Sequence, residues 1–183
     1  IESLRGYAAQ YYHFELAYPT FLSGLHHRCE DREVRQLPLD NFWDEEHGDE
    51  NHVELWLRFC DALGLDRESV KQSEPNDATK RLVAIFKELT AQGEPAAGAT
   101  TLYSFESQVP AVAAAKIEGL RKFYGMDDKR SVSFFEVHKA LDIEHSDAER
   151  QMVKSLVSPD AGEKAALNAA ETATKSLWEF LDG

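Results

Sequence analysis

Apolar residues recur three and four positions apart along most of the chain, the spacing of one helix face. Leu82, Ile85, Phe86 and Leu89 make one such stripe. Prolines, glycines and capping residues divide the pattern into about eight helical stretches. The first is predicted from Glu2 to Ala17, stopping before Pro19, and the second from Thr20 to about Leu37, with a break near Glu30. The third is expected to start at Asp40 and run to Leu63, with Gly64 as its C-terminal signal. A short helix over 66–72 precedes Pro75, and Asn76 or Asp77 caps a helix to Ala91. The sixth stretch, 96–124, carries Pro110 as a kink and ends at Gly125. Ser133 and Glu136 read as a capping box opening a long helix that ends before Pro159, and Asp160 as the cap of a last helix to Gly183.

Composition supports an all-α fold. Ala and Leu number 22 and 19, against 10 Val and 4 Ile, and the unbranched residues favour helices. With 183 residues and no break in composition, one helical bundle over 1–183 is expected. The first helix is already running at Ile1 with no initiator Met, so residues upstream are expected to exist. A net charge of −13 with no basic cluster argues against a nucleic-acid partner. No apolar run approaches the roughly 20 residues of a membrane span. Two cysteines, Cys29 and Cys60, are too few for a disulfide framework and fit a reducing cytoplasm. They read as structural rather than catalytic.

Histidine is scarce, seven in the chain, so its placement carries information. His138, Asp142 and His145 follow at offsets of four and three, which put all three on one stripe of one helix. Imidazoles and a carboxylate on a shared face make half a site for a divalent metal. A second cluster lies in the run from Trp43 to His52. Glu45 and His52 are seven apart, two turns, and share a face if the helix continues through Gly48. Asp49 and His52 are an equally legal pair, the carboxylate-x-x-His spacing of ferritin-like dimetal bundles. His47 is a bystander by its offset. The third piece is Glu106, the sole acid between Glu94 and Glu118, in a stretch of small and apolar residues where a lone carboxylate is costly without a cation. Pro110, four residues on, cannot donate to the Glu106 carbonyl, and a kink there would turn the carboxylate inward. Three imidazoles and three carboxylates suit a dinuclear iron or manganese site better than structural zinc.

The spacing Glu45…His52, Glu106, His138…Asp142…His145 resembles the heme-oxygenase-like diiron oxidases, and within them the CADD-like p-aminobenzoate synthases. The phrases YAAQYYHFELAYPTFLSGLHHRCED, DEEHGDENHVELW, LYSFESQVPAVAAAKIEGL and LWEFLD carry the likeness along nearly the whole chain. The resemblance implies a bundle of the heme-oxygenase, TenA and PqqC type without heme, with those six residues as metal ligands. It implies two transition-metal ions, Fe/Fe or Mn/Fe, with O₂ as co-substrate. It further implies that a tyrosine of the protein itself becomes p-aminobenzoate for folate, with a lysine as amino donor. Lys116 stands at the donor's position, and the sacrificed tyrosine falls upstream of Ile1. Phe105 and Phe134 stand where the group has tyrosines near the metals, which leaves Tyr11, Tyr12 or Tyr103 as candidates for a radical relay. An external reductant and a possible homodimer are the partners expected. Two alternatives remain open. One is an oxidase acting on a free amino acid or fatty acid, which would need no amine at Lys116; the other is an interaction module with a vestigial site, which would be stable in chelator.

Overall fold

The computed structural model describes residues 1–159 and 161–183. Ten α-helices and one π-helical turn, with no strand among the described residues, build the molecule. They are α1 (Glu2–Arg28), α2 (Arg32–Gln36), α3 (Leu39–Glu46), α4 (His52–Ala62), α5 (Arg67–Lys71), α6 (Asp77–Ala91), α7 (Pro95–Glu106), α8 (Val109–Gly119), the π turn Leu120–Tyr124, α9 (Lys129–Leu156) and α10 (Ala161–Asp182). The all-α expectation therefore holds. No helix among the described residues is long and apolar enough to cross a membrane.

Four helix boundaries differ from expectation. α1 does not stop before Pro19 but runs straight through it to Arg28. An internal proline costs about 3 kcal/mol, and here burial of both flanks outweighs it: Phe14, Tyr18, Phe21, Leu22 and Leu25 are all buried along one face. The predicted third helix is two, because Gly48 at φ +83° breaks it and the Asn51 side chain caps α4 by accepting from the Glu54 amide. Pro110 does not kink a continuous helix. The chain breaks at Ser107 and Gln108, and Pro110 sits in the first turn of α8, where its missing N–H has no partner to lose. The long helix opens at Asp128, whose carboxylate accepts from the Arg130 and Ser131 amides. Ser133 lies inside that helix, its hydroxyl donating to the Arg130 carbonyl. The cap assigned to Asp160 falls outside the described residues.

Two apolar clusters hold the bundle. One joins the start of α1 to α4, α8 and the start of α9 through Trp56, Phe59, Ile117, Phe134 and Phe135. The other joins the second half of α1 to α6, α7 and α10 through Phe14, Phe21, Leu82, Phe86, Leu102 and Phe180, with Met152 of α9. α1 and α9 run through both. Between the clusters α9 presents His138, Asp142 and His145, all buried. Trp56 locks α4 to α1 by donating from Nε1 to the Ala8 carbonyl at 2.9 Å.

Gly48 provides a test of how the break between α3 and α4 is held. A Cβ there would meet nothing within 4 Å, so only backbone conformation resists substitution. Gly48→Ala is expected to lower stability by about 1–2 kcal/mol in urea unfolding, and Gly48→Asn by clearly less, since asparagine tolerates the left-handed region.

Candidate metal centre

The six residues marked by the sequence meet in the water-poor layer between the two clusters, and each is at most 6% exposed. They arrive by separate routes. Glu45 lies in the last turn of α3 and His52 opens α4, so the turn at Gly48 brings them together rather than two turns of one helix. His52 Nδ1 lies 3.0 Å from Glu45 Oε1 yet forms no hydrogen bond by its geometry, as two donors directed at a common point would. Asp49 is exposed, which removes the alternative pairing with His52. His47 is exposed and stacked on Trp43 at 3.8 Å. Glu106 ends α7. Its Oε1 accepts from the Tyr18 hydroxyl at 2.5 Å and the Asn41 amide at 2.6 Å, leaving Oε2 buried and unpartnered.

On α9 the His138 Nδ1 stands 2.7 Å from the Phe134 carbonyl. A carbonyl only accepts, so Nδ1 carries the proton and Nε2 keeps its lone pair, the tautomer a metal ligand requires. The His52 and His138 rings lie 4.3 Å apart. His145 sits between Asp142, 3.6 Å from Nδ1, and Asp44, 3.2 Å from Nε2. Burial by itself disfavours the His145 imidazolium, but Asp142, Glu106 and Asp44 together hold its pKa at about 9. Burial pushes His138 well below its ordinary value and lowers His52.

Two further carboxylates share this layer. Glu15, halfway along α1, is 3% exposed with Oε1 unpartnered, and it presents a donor within 4.8 Å of donors from Glu45, His52 and His138. Glu149, one turn beyond His145, is fully buried with neither oxygen partnered. Both were overlooked in the sequence, although signals existed. Glu15 is the sole acid between Glu2 and Glu30 and precedes Pro19 by four, repeating the relation of Glu106 to Pro110. Glu149 extends the offsets of His138, Asp142 and His145 by one more turn. Burial first, then the neighbouring carboxylates, raises Glu15, Glu45 and Glu149 well above the usual range and Glu106 to about 7; burial also raises Asp142, with His145 opposing. Unpartnered buried carboxyl oxygens beside imidazoles are what cations would satisfy, so the donor set fits a metal site.

A cavity of about 340 Å³ opens beside His138 and is lined by Tyr7, Tyr11, Phe105, Lys116 and Phe134, among others. Lys116 reaches it from α8, past the break after Glu106, and its Nζ donates to the Tyr7 hydroxyl at 2.5 Å. Of Tyr11, Tyr12 and Tyr103, Tyr11 is the one that lines this cavity. Both cysteines are buried and free, and burial pushes the Cys60 thiol up to about 12, the state of an inert thiol.

A family model described as "iron-containing redox enzyme" matches residues 5–178. The chain belongs to this family. Among its relatives is a protein of Nitrosomonas europaea named 4-aminobenzoate synthase, 44% identical over 191 residues, covering 100% of this chain and 78% of the relative. Another of that name, from Chlamydia trachomatis serovar D, is 40% identical over 181 residues, covering 99% of this chain and 78% of the relative. Among solved structures, a domain from Shewanella denitrificans with a heme oxygenase-like fold superposes with a TM-score of 0.82 at 18% identity, covering 100% of this chain and 77% of that one. The family is one of redox enzymes, so the interaction-module alternative gives way.

Two predictions follow the geometry. Glu45→Ala should lose one of the ions that the unaltered protein binds, measured by elemental analysis, while the exposed Asp49→Ala should leave metal content unchanged. Metal binding should also weaken on acidification. Glu106 must lose its proton to bind a cation, and with its pKa near 7 this one proton makes affinity fall about tenfold from pH 8 to pH 6. In the metal-free protein the sign reverses. A carboxyl raised from 4.5 to about 7 contributes stability below pH 4.5 that is lost as pH rises through 7. The rise in melting temperature on adding Mn(II) should therefore grow between pH 6 and 8.

Proposed function

We propose that this chain makes p-aminobenzoate, using two transition-metal ions, Fe/Fe or Mn/Fe, held by Glu45, His52, Glu106, His138, Asp142 and His145, with O₂ as co-substrate and an external reductant. Bound there, the metals supply the reduction of O₂ to an oxidant. The carbon source is a tyrosine of the protein itself and the nitrogen comes from Lys116. The tyrosine side chain and p-aminobenzoate share a six-membered ring with one carbon para to a heteroatom. Conversion needs cleavage between Cα and Cβ, oxidation of Cβ to a carboxyl, and exchange of the phenolic oxygen for nitrogen.

The observation that carries this reading is the place of Lys116. Its amine shares a cavity with the ligand His138, 2.5 Å from the Tyr7 hydroxyl and 4.6 Å from the Tyr7 ring centre. An amine held among phenols beside a proposed metal ligand is what nitrogen transfer to an aromatic ring requires, and Phe105, Phe134 and Phe135 make the walls around it largely apolar. The relatives named 4-aminobenzoate synthase support the same product. In the cavity Tyr11 packs 5.6 Å from Tyr7 and also faces Glu15, so it is the phenol of this chain placed to pass an electron and a proton between the metal side and the lysine side.

Lys116→Arg keeps the charge but not a transferable amine. It should fold, bind both ions and consume O₂, yet yield no p-aminobenzoate by liquid chromatography and no rescue of a p-aminobenzoate auxotroph. Undiminished product would remove the lysine from the chemistry and favour an oxidase with an external amino acid or fatty acid substrate.

A further inference from the structure

We infer that Glu15 is a seventh protein ligand, completing with Glu45, His52 and His138 a four-donor set around one of the two metal positions. The four side chains come from α1, α3, α4 and α9, and each offers one donor atom such that all lie within 4.8 Å of one another. Donors about 2.1 Å from a common ion stand about 3–4.2 Å apart, depending on the angle between them. The observed grouping is that of a site ready to contract onto an ion. All four residues are at most 6% exposed, which removes them from bulk solvent.

The alternatives for Glu15 are weak. No cationic side chain pairs with it, and its Oε1 makes no hydrogen bond. Glu45, whose Oε2 is equally unpartnered, belongs to the same group of donors, so without a cation the two carboxyl groups oppose each other. The Tyr11 hydroxyl meets Glu15 from the cavity side, which occupies at most one of its two oxygens. His138 Nε2 and the unbonded His52 Nδ1 complete the set with two neutral imidazoles. Two carboxylates and two imidazoles neutralise a divalent ion, and they leave Glu106, Asp142 and His145 to the other position. α1 is also the helix best suited to fix such a ligand, because it spans both apolar clusters and holds Glu15 between Phe14 and Tyr18.

The inference rests on the metal reading of the site but not on the product. Its test is Mn(II) binding by equilibrium dialysis and electron paramagnetic resonance on the unaltered protein, Glu15→Gln and Tyr11→Phe. The unaltered protein and Tyr11→Phe should each bind two ions. Glu15→Gln should bind one with unchanged affinity and the second at least about tenfold more weakly, with an altered resonance. Its metal-free form should melt no lower than the unaltered protein, since a buried carboxyl without a partner has been removed. Two ions bound by Glu15→Gln with unchanged affinity would overturn the inference, as would equal weakening in Tyr11→Phe, which would make Glu15 only the partner of that phenol. No metal bound by the unaltered protein would instead overturn the metal reading itself. Should Glu15→Gln not fold, Glu15→Asp takes its place under the same criteria.

Discussion

The structure depends on carboxyl groups buried away from bulk water. Glu15, Glu45, Glu106, Asp142 and Glu149 crowd into one layer of the bundle with few compensating cations, and several of their oxygens have no partner. A charged carboxylate in such surroundings carries a large desolvation penalty, which a protein escapes by protonation or by bringing in a cation. The raised pKa values describe the first escape, and the imidazoles of His52, His138 and His145 among the carboxyl groups prepare the second. The apolar clusters on either side exclude water from this layer and fix the helices that carry the donors.

Interruptions of helices aim the candidate ligands. Glu45 and Glu106 each occupy the last turn of a helix, and His52 the first residue of one. A residue at a helix end sits beside a change of chain direction, so it can face a point that a continuous helix would carry it past. α9 does the opposite. Its three candidate ligands need an unbroken helix, because only a constant advance per residue keeps positions four and three apart on one face. The site thus combines one rigid rail with several adjustable ends.

The break after Glu106 also creates the cavity. Had α7 continued through Pro110, α8 would not diverge to bring Lys116 against Tyr7 beside His138. An amine, two phenols and the candidate ligand His138 then share a wall with Phe105, Phe134 and Phe135. In the proposed reaction that arrangement would bring the amine and the phenols next to the metal side of the site.

The sequence by itself determined the helical class and most helix ends, because propensity, caps such as Asn76 and Asp66, and glycines such as Gly64 and Gly125 act within a few residues. It also marked the stripe of α9 and the lone acid Glu106, since fixed spacing and an acid in an apolar run need no distant information. It was misleading at Pro19, where packing of α1 against two clusters outweighed a local helix breaker, and at Ser133, where Asp128 offered the better cap. Only the tertiary structure decided that Glu45 rather than Asp49 faces His52, and that Glu15 and Glu149 join the same layer. Those choices depend on which face of each helix is buried, and burial is set by elements far apart in the chain. Glu15 meets His138 across 123 positions of sequence, a distance that no local pattern spans.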